Sequence, residues 1–392
     1  MASGLRILLV SRRFWPQVGD SEDAMADLAD GFRRHGTQPT VLSARWSADW
    51  PRVSHLQGVP VHRVPMRLDR PWGRWTYLLG LARWLRRHRS QFDAVLVARL
   101  RREAAATLWA LRHRAMPIVL RAEPDDGAWQ SGSVVGLHCR HRCRQASAII
   151  CPDSVIQEDL IGAGYRPSSL YVIPDGVRRM LPRRGDSRSA ARSALAQIHA
   201  DFFCDADAPL ALFVGRLRPE SGLARLVRAW QQVIRHQPTA KLWLIGDGPY
   251  RDDLYRLICD LDLRHCVRMP GTFESLDEVF QAADLLVYPA ATACLPRICL
   301  AAVANGLPVL AASSPELQSG LLRQPALASE IMLVDGGEVV AWSDALIDRL
   351  RPSTGSDRPA ESSRIWQHEH SMARTIRRHL DLFQSLIESA GR

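Results

Sequence analysis

Three groups of residues in this sequence could do chemistry, and their spacing says where they sit. Just beyond the apolar run Ala211 to Val214 stand Gly215 and Arg216, and beyond the run ending at Ile245 stands Gly246-Asp247-Gly248-Pro249. Glycine lets backbone approach a ligand closely, and a guanidinium meets phosphate oxygens in a planar fork. Together they are a means of holding phosphate, as is the loop containing Gly19 that follows the first apolar run. The stretch Arg121 to Gly127 carries Glu123, Asp125 and Asp126, carboxylates that could accept from ligand hydroxyls or simply face solvent. His138-Cys139-x-His141-x-Cys143 collects four metal-ligating groups. On a helix, Cys139 and Cys143 would share one face, and so would His138 and His141. One short helical stretch rarely wraps a metal with all four ligands, and no second pair has zinc spacing, so no metal is expected.

The elements that position these residues alternate. Leu5 to Ser11 is an apolar run suited to a strand buried on both faces of a parallel sheet. Glu22 to His35 follows with Met25, Leu28, Ala29 and Phe32 at helical spacing, and Gly36 stops it. Strands are predicted at Thr40 to Ala44, Val59 to Val64, Ala94 to Ala98, Ile118 to Arg121, Ala148 to Pro152 and Leu170 to Ile173. Helices fit Tyr77 to Arg89 and Glu103 to Arg114. A second series opens at Leu210, with strands at Ala211 to Val214, Ala240 to Ile245, Val267 to Met269, Leu285 to Val287 and Val309 to Ala311. This alternation predicts two doubly wound α/β domains. The expected boundaries are 1–180 for the first, 181–208 for a linker and 209–365 for the second. An amphipathic helix in 366–392 is expected to pack back toward the first domain.

At 392 residues two domains are the default, and 46% apolar with 23% charged residues is ordinary for a globular chain. No stretch approaches the ~20 uninterrupted apolar residues of a transmembrane helix. The opening MASGLRILLV is too short in its apolar run for a signal peptide, which predicts a cytoplasmic protein. The eight cysteines show no CxxC pair, so a disulfide framework is not expected. The formal charge is +10, with Lys241 the only lysine. Ten arginines lie between Arg74 and Arg114 against Asp93 and Glu103. Such clustering fits attraction to phosphates, acidic polymers or anionic lipid heads. Nucleic-acid recognition motifs are lacking, so no specific nucleic acid is expected as a partner.

The segments FVGRLRPESGLARLVRAW, LIGDGP, MPGTFESLDEVFQAADLLVYPA and CLAAVANGLPVLA follow one another in that order. This series resembles the donor-binding half of the large retaining GT-B family, glycosyl transferases group 1, which includes bacterial mannosyl- and glucosyltransferases. The loop PQVGDSEDAMADLADGFRRHG resembles the family's glycine-rich loop and first helix, and IPDGV at Ile173 to Val177 its usual strand end. The resemblance covers nearly the whole chain. It implies two Rossmann-like domains facing across a cleft, with Arg216, Gly19 and Gly248 on the nucleotide-sugar side. That nucleotide sugar is a co-substrate, and neither a further cofactor nor a divalent metal is implied. Glu123 and Asp125 fall on the acceptor side, where a glycan or lipid-linked acceptor is implied.

Four positions depart from the family pattern. Asp20 stands where a second glycine is usual, and its carboxylate would repel donor phosphates if the loop kept its usual path. Ser221 replaces a lysine that partners the diphosphate, and Ala293 and Ala301 replace paired glutamates. No catalytic residue is nominated, because the family's retaining transfer requires no protein nucleophile. The favoured reading is a hexosyltransferase of glycan biosynthesis; the rival is a degenerate member, a pseudoenzyme that binds or scaffolds. The stretch Trp75 to Arg89 is apolar and aromatic on one side and basic at one end. Packing on the first sheet is its first expectation, and peripheral contact with the inner membrane face is the alternative.

Overall fold

The computed structural model describes residues 4–17, 19–66, 72–112, 116–123, 134–177, 185–273, 276–292, 295–322, 325–335, 337–351 and 370–390. The chain forms two compact units, the first comprising Met1–Gly176 with His370–Arg392 and the second Val177–Glu369.

In the first unit the strands are β1 (Arg6–Val10), β2 (Gln38–Arg45), β3 (Val53–Leu56), β4 (Val59–Pro65), β5 (Ala94–Ala98), β6 (Ile118–Arg121), β7 (Ala148–Cys151) and β8 (Leu170–Val172). They form one sheet in the order β3-β4-β2-β1-β5-β6-β7-β8, parallel except for the β3–β4 hairpin. Strand β3 was not expected from the sequence. Its signal is the two-residue turn Gln57-Gly58, where φ is positive at both positions, the geometry a tight hairpin requires. Helices are α1 (Asp20–Arg34), α2 (Gly73–His88), α3 (Arg102–Leu111), α4 (Val134–Cys143) and α5 (Ser154–Gly162).

Alternation along the strands sorts their side chains between two cores. Leu8, Val10, Val95 and Val97 face α2, α3 and α5 through Leu81, Leu85, Leu108 and Leu160. Ile7, Leu9, Val41 and Leu96 lie on the other side, under Met25, Leu28 and Phe32 of α1. The helix Met372–Ala390 completes that layer with Ile376, Leu380, Leu382 and Phe383, all buried. Each such side chain removed from water contributes about 1.5–3 kcal/mol, so this distant segment holds up the first unit.

The second unit carries β9 (Leu210–Val214), β10 (Lys241–Ile245), β11 (Val267–Gly271), β12 (Leu285–Tyr288), β13 (Val309–Ala312) and β14 (Ile331–Val334). They form a parallel sheet in the order β11-β10-β9-β12-β13-β14. Its helices are α6 (Gly185–Ile198), α7 (Leu223–His236), α8 (Arg251–Asp260), α9 (Asp277–Ala282), α10 (Arg297–Ala304), α11 (Pro315–Leu322), α12 (Pro325–Ala328) and α13 (Val339–Arg349). One core gathers Trp230, Leu242, Leu244 and Trp342 between the sheet and α7, α8 and α13. The other gathers Leu195, Leu212, Trp243 and Phe280 beneath α6 and α9.

The stretch 181–208 corrects the expected linker. Residues 181–184 lie outside the described residues, but α6 is part of the second unit. Ala191 and Leu195 are buried in its core. Arg192 is 2% exposed; its guanidinium donates to the carbonyls of Ala282, Asp205, Ala206 and Ala208 and to Asp284. Asp284 also accepts from Arg188 and from the backbone N–H of Leu210. A polar, arginine-rich composition read as a connection is here a buried clamp at the start of β9.

Candidate functional site

In the second unit, the turns after β9 and β10 are laced together by backbone. The N–H of Gly215 donates to Ile245 O at 3.0 Å, that of Leu217 to Asp247 O at 3.0 Å, and that of Tyr250 to Leu217 O at 3.2 Å. This interlock leaves no room for side chains at two positions. A Cβ on Gly246, where φ is +141°, would overlap the Gly215 carbonyl oxygen, and one on Gly248 would overlap that of Leu217. Gly248, expected to approach a ligand, is therefore placed against protein backbone.

Leu217 is fully buried and anchors the loop, while its neighbour Arg216 is exposed. Among the described residues the Arg216 side chain has no hydrogen-bond or ion-pair partner. Ser221 donates from its hydroxyl to the Arg216 carbonyl at 3.1 Å and from its backbone N–H to Arg218 O at 3.1 Å. Arg225, in the first turn of α7, donates to Pro289 O at 2.7 Å and lies over the Trp342 ring at 5.5 Å. The exits of β9 and β12 are thereby tied together.

Ala301 lies in the second turn of α10, half-buried, with its carbonyl accepting from Asn305 Nδ2 at 2.6 Å. Ala293 lies outside the described residues. The first turn of α10 holds no acidic side chain, so its positive end is uncompensated from within the helix. The site's chemistry is that of an exposed cation beside rigid, glycine-lined strand ends, suited to an anionic group.

In the first unit, charge concentrates at the carboxyl ends of β1, β5, β6 and β8. Glu123 is 4% exposed, which corrects its reading as a solvated acid. Its carboxylate accepts from Ser21 Oγ at 2.6 Å and Arg121 Nη1 at 2.7 Å, and pairs with Arg99 Nε at 2.8 Å. Arg121 Nη2 donates to both oxygens of Asp175, at 2.6 and 2.7 Å. Arg99 sits at φ +72°, a strained left-handed conformation for a residue with a side chain. Beside this group, Arg13 Nε pairs with buried Glu22 at 2.8 Å. Gly19 precedes α1, and its lack of a side chain leaves space for the Glu22 carboxylate.

Asp20 is the first residue of α1, where a carboxylate suits the positive helix end; its side chain lies outside the described residues, as does Asp125. Arg99, Arg121 and Asp175 were missed by sequence reasoning. Each looks like an ordinary strand-end residue until the sheet brings them together.

The His/Cys cluster separates on α4. Cys139 and Cys143 are buried while His138 and His141 are exposed, and burial pushes the Cys139 thiol up from its ordinary value. On α2, Tyr77, Leu81, Ala82 and Leu85 are buried against the sheet. Trp72, Trp75 and Leu79 are 71%, 54% and 65% exposed. Packing thus accounts for one face, as expected, and a second apolar stripe remains outside. No helix among the described residues is long and apolar enough to cross a membrane.

Residues 208–351 match the family model described as glycosyl transferases group 1, and residues 21–179 match glycosyltransferase family 4. The D-inositol 3-phosphate glycosyltransferase of Nocardia farcinica is 33% identical over 46% of this chain and 41% of its own length. The lipopolysaccharide core biosynthesis glycosyltransferase LpsD of Rhizobium meliloti is 31% identical over 49% of this chain and 54% of its own. The chain thus spans about half or less of these curated relatives. The GDP-mannose-dependent alpha-mannosyltransferase of Mycobacterium tuberculosis is 25% identical over 79% of both chains. Among solved structures, Anabaena Alr3699/HepE in complex with UDP and glucose superposes with a TM-score of 0.72 at 17% identity, covering 97% of this chain and 100% of that one. WaaG, a glycosyltransferase involved in lipopolysaccharide biosynthesis, gives 0.68 at 16% identity, covering 96% and 99%. The fold is GT-B, with two Rossmann-like α/β domains, and the homologues are glycosyltransferases.

Proposed function

From this GT-B fold and its glycosyltransferase homologues, we propose that the chain transfers a hexosyl group from a nucleotide sugar to a glycan or lipid-linked acceptor. The observation that carries the reading is Arg216, an exposed guanidinium without a partner among the described residues, held on a loop whose backbone is locked to the turn after β10. In the transfer, the bond between the anomeric carbon and the diphosphate oxygen breaks and one to an acceptor oxygen forms. The nucleoside diphosphate leaves, and the acceptor's proton passes to it or to solvent. Arg216 meets the negative charge that grows on the leaving group, and the start of α10 supports it. Retention of configuration is the outcome we infer, in keeping with the family resemblance of the donor half.

Ser221 and Ala301 remove a cation and a carboxylate from the donor side, so donor affinity rests on Arg216 more than it would with the usual pair. Glu123 is a positioning residue in this reading, because Ser21, Arg99 and Arg121 engage its oxygens. The Trp72, Trp75 and Leu79 stripe, flanked by Arg74, Arg83 and Arg87, suits peripheral contact with an anionic membrane face carrying the acceptor.

The test is a titration of UDP-, GDP- and ADP-sugars against thermal stability, with release of the nucleoside diphosphate followed in parallel. A bound donor at 100-fold over its Kd should add ~2.7 kcal/mol. Arg216→Ala should weaken binding by about tenfold or more, as loss of a charged hydrogen bond does. Stabilisation by a donor, with no nucleotide released when a panel of glycan and lipid-linked acceptors is added, would support the binding or scaffolding alternative. No stabilisation by any donor would end the donor-site reading altogether.

A further inference from the structure

The outer edge of the second sheet holds a cavity of about 380 Å³ lined by Asp201, Arg251, Asp252, Tyr255, Ile258, Arg264, Val267, Arg268 and Met269. Strand β11 is the edge strand, and α8 runs alongside it. Ile258 and Val267 are buried and form an apolar floor. None of the lining residues comes from the loop that carries Arg216.

Three guanidiniums and two carboxylates line the cavity, an excess of positive charge that an anion would offset. On α8, Arg256 is paired with Asp253 at 2.9 Å. In the cavity, Arg268 reaches Asp201 only at 3.9 Å. Among the described residues the side chains of Arg251 and Arg264 have no hydrogen-bond or ion-pair partner. The guanidinium fork matches phosphate oxygens. Asp201 and Asp252 offer acceptors to hydroxyl groups, and the half-exposed Tyr255 ring offers a flat face to the C–H side of a sugar.

We propose that this cavity binds a phosphorylated sugar, with Arg264 and Arg268 on the phosphate and Asp201, Asp252 and Tyr255 on the ring. It is a site separate from the donor loop, and it stands whether or not the chain turns over a nucleotide sugar. The sugar phosphate binds by contacts alone, with no bond made or broken.

Calorimetric titration of the full-length chain with glucose 6-phosphate, mannose 1-phosphate, inorganic phosphate and glucose tests it. At least one sugar phosphate should bind, more tightly than inorganic phosphate or glucose. The double variant Arg264→Ala/Arg268→Ala should raise its Kd by at least about tenfold, while Arg216→Ala leaves it unchanged. The milder Arg264→Gln should weaken binding without altering the circular dichroism spectrum, which separates loss of contact from loss of fold. Absence of binding by both sugar phosphates would overturn the proposal. So would inorganic phosphate binding as tightly as either of them, or a Kd sensitive to Arg216 and indifferent to Arg264 and Arg268.

Discussion

Glu123 is the residue on which the carboxyl edge of the first sheet depends. Its carboxylate lies between Arg121 and Arg99, and Arg121 is itself buried against Asp175. Removing one partner of a buried pair leaves an uncompensated charge and destabilises by about 3–5 kcal/mol. Glu123→Ala is therefore expected to shift the urea midpoint sharply downward, and a midpoint within error of the parent would refute the arrangement. Glu123 itself could be picked out from the sequence as a carboxylate at a strand end. The rest of the group could not, because Arg99, Arg121 and Asp175 come from three different strand exits and carry no shared spacing. Gly248 teaches the complementary lesson. Its type announced close approach, but the atom approached is the Leu217 carbonyl oxygen, which no spacing along the chain discloses.

Helices α2 and Met372–Ala390 show how one amphipathic pattern can have different fates. Both bury one face on the same sheet's two sides, and the apolar periodicity of each was legible. What periodicity did not disclose is that α2 carries a second stripe, Trp72, Trp75 and Leu79, left outside. Trp72→Ala/Trp75→Ala should abolish sedimentation with vesicles of mixed anionic and zwitterionic lipid while leaving thermal stability near the parent value. Equal sedimentation of parent and variant would exclude this helix as the contact. On the other helix, His379 is buried, donates from Nδ1–H to Thr375 O at 2.8 Å, and has no partner for Nε2 among the described residues. Burial, with Arg121 adding to the effect, depresses its pKa to about 4, from an ordinary 6.5. The unfolded chain then takes up a proton between pH 6.5 and about 4 that the folded chain does not. Stability is expected to fall as pH drops through that window, and His379→Phe should flatten the pH dependence of the urea midpoint there. The neighbouring Asp175 opposes the shift, so a variant as pH-sensitive as the parent would show that other groups govern it.

For the whole molecule, the order of motifs conveyed two α/β domains, and each now has its own sheet and its own pair of cores. What the order could not convey was the assignment of 185–208 to the second unit, because a clamp made of one arginine and four carbonyls has no composition that differs from a linker. The first unit is discontinuous in sequence, closed by residues 370–390 after the second unit has intervened. Residues 177–369 expressed alone should therefore unfold in one cooperative transition. Residues 1–176 alone should lack one, and regain it when a peptide covering 370–392 is added. A cooperative transition in 1–176 by itself would show that the closing helix is dispensable. In the cell this discontinuity becomes a matter of timing. As the chain is made, the sheet face bearing Ile7, Leu9, Val41 and Leu96 is in place long before Ile376 and Phe383 leave the ribosome. At about 5–20 residues per second, some tens of seconds of synthesis separate that face from its cover. During that wait the nascent amino-terminal unit is a natural client for chaperones.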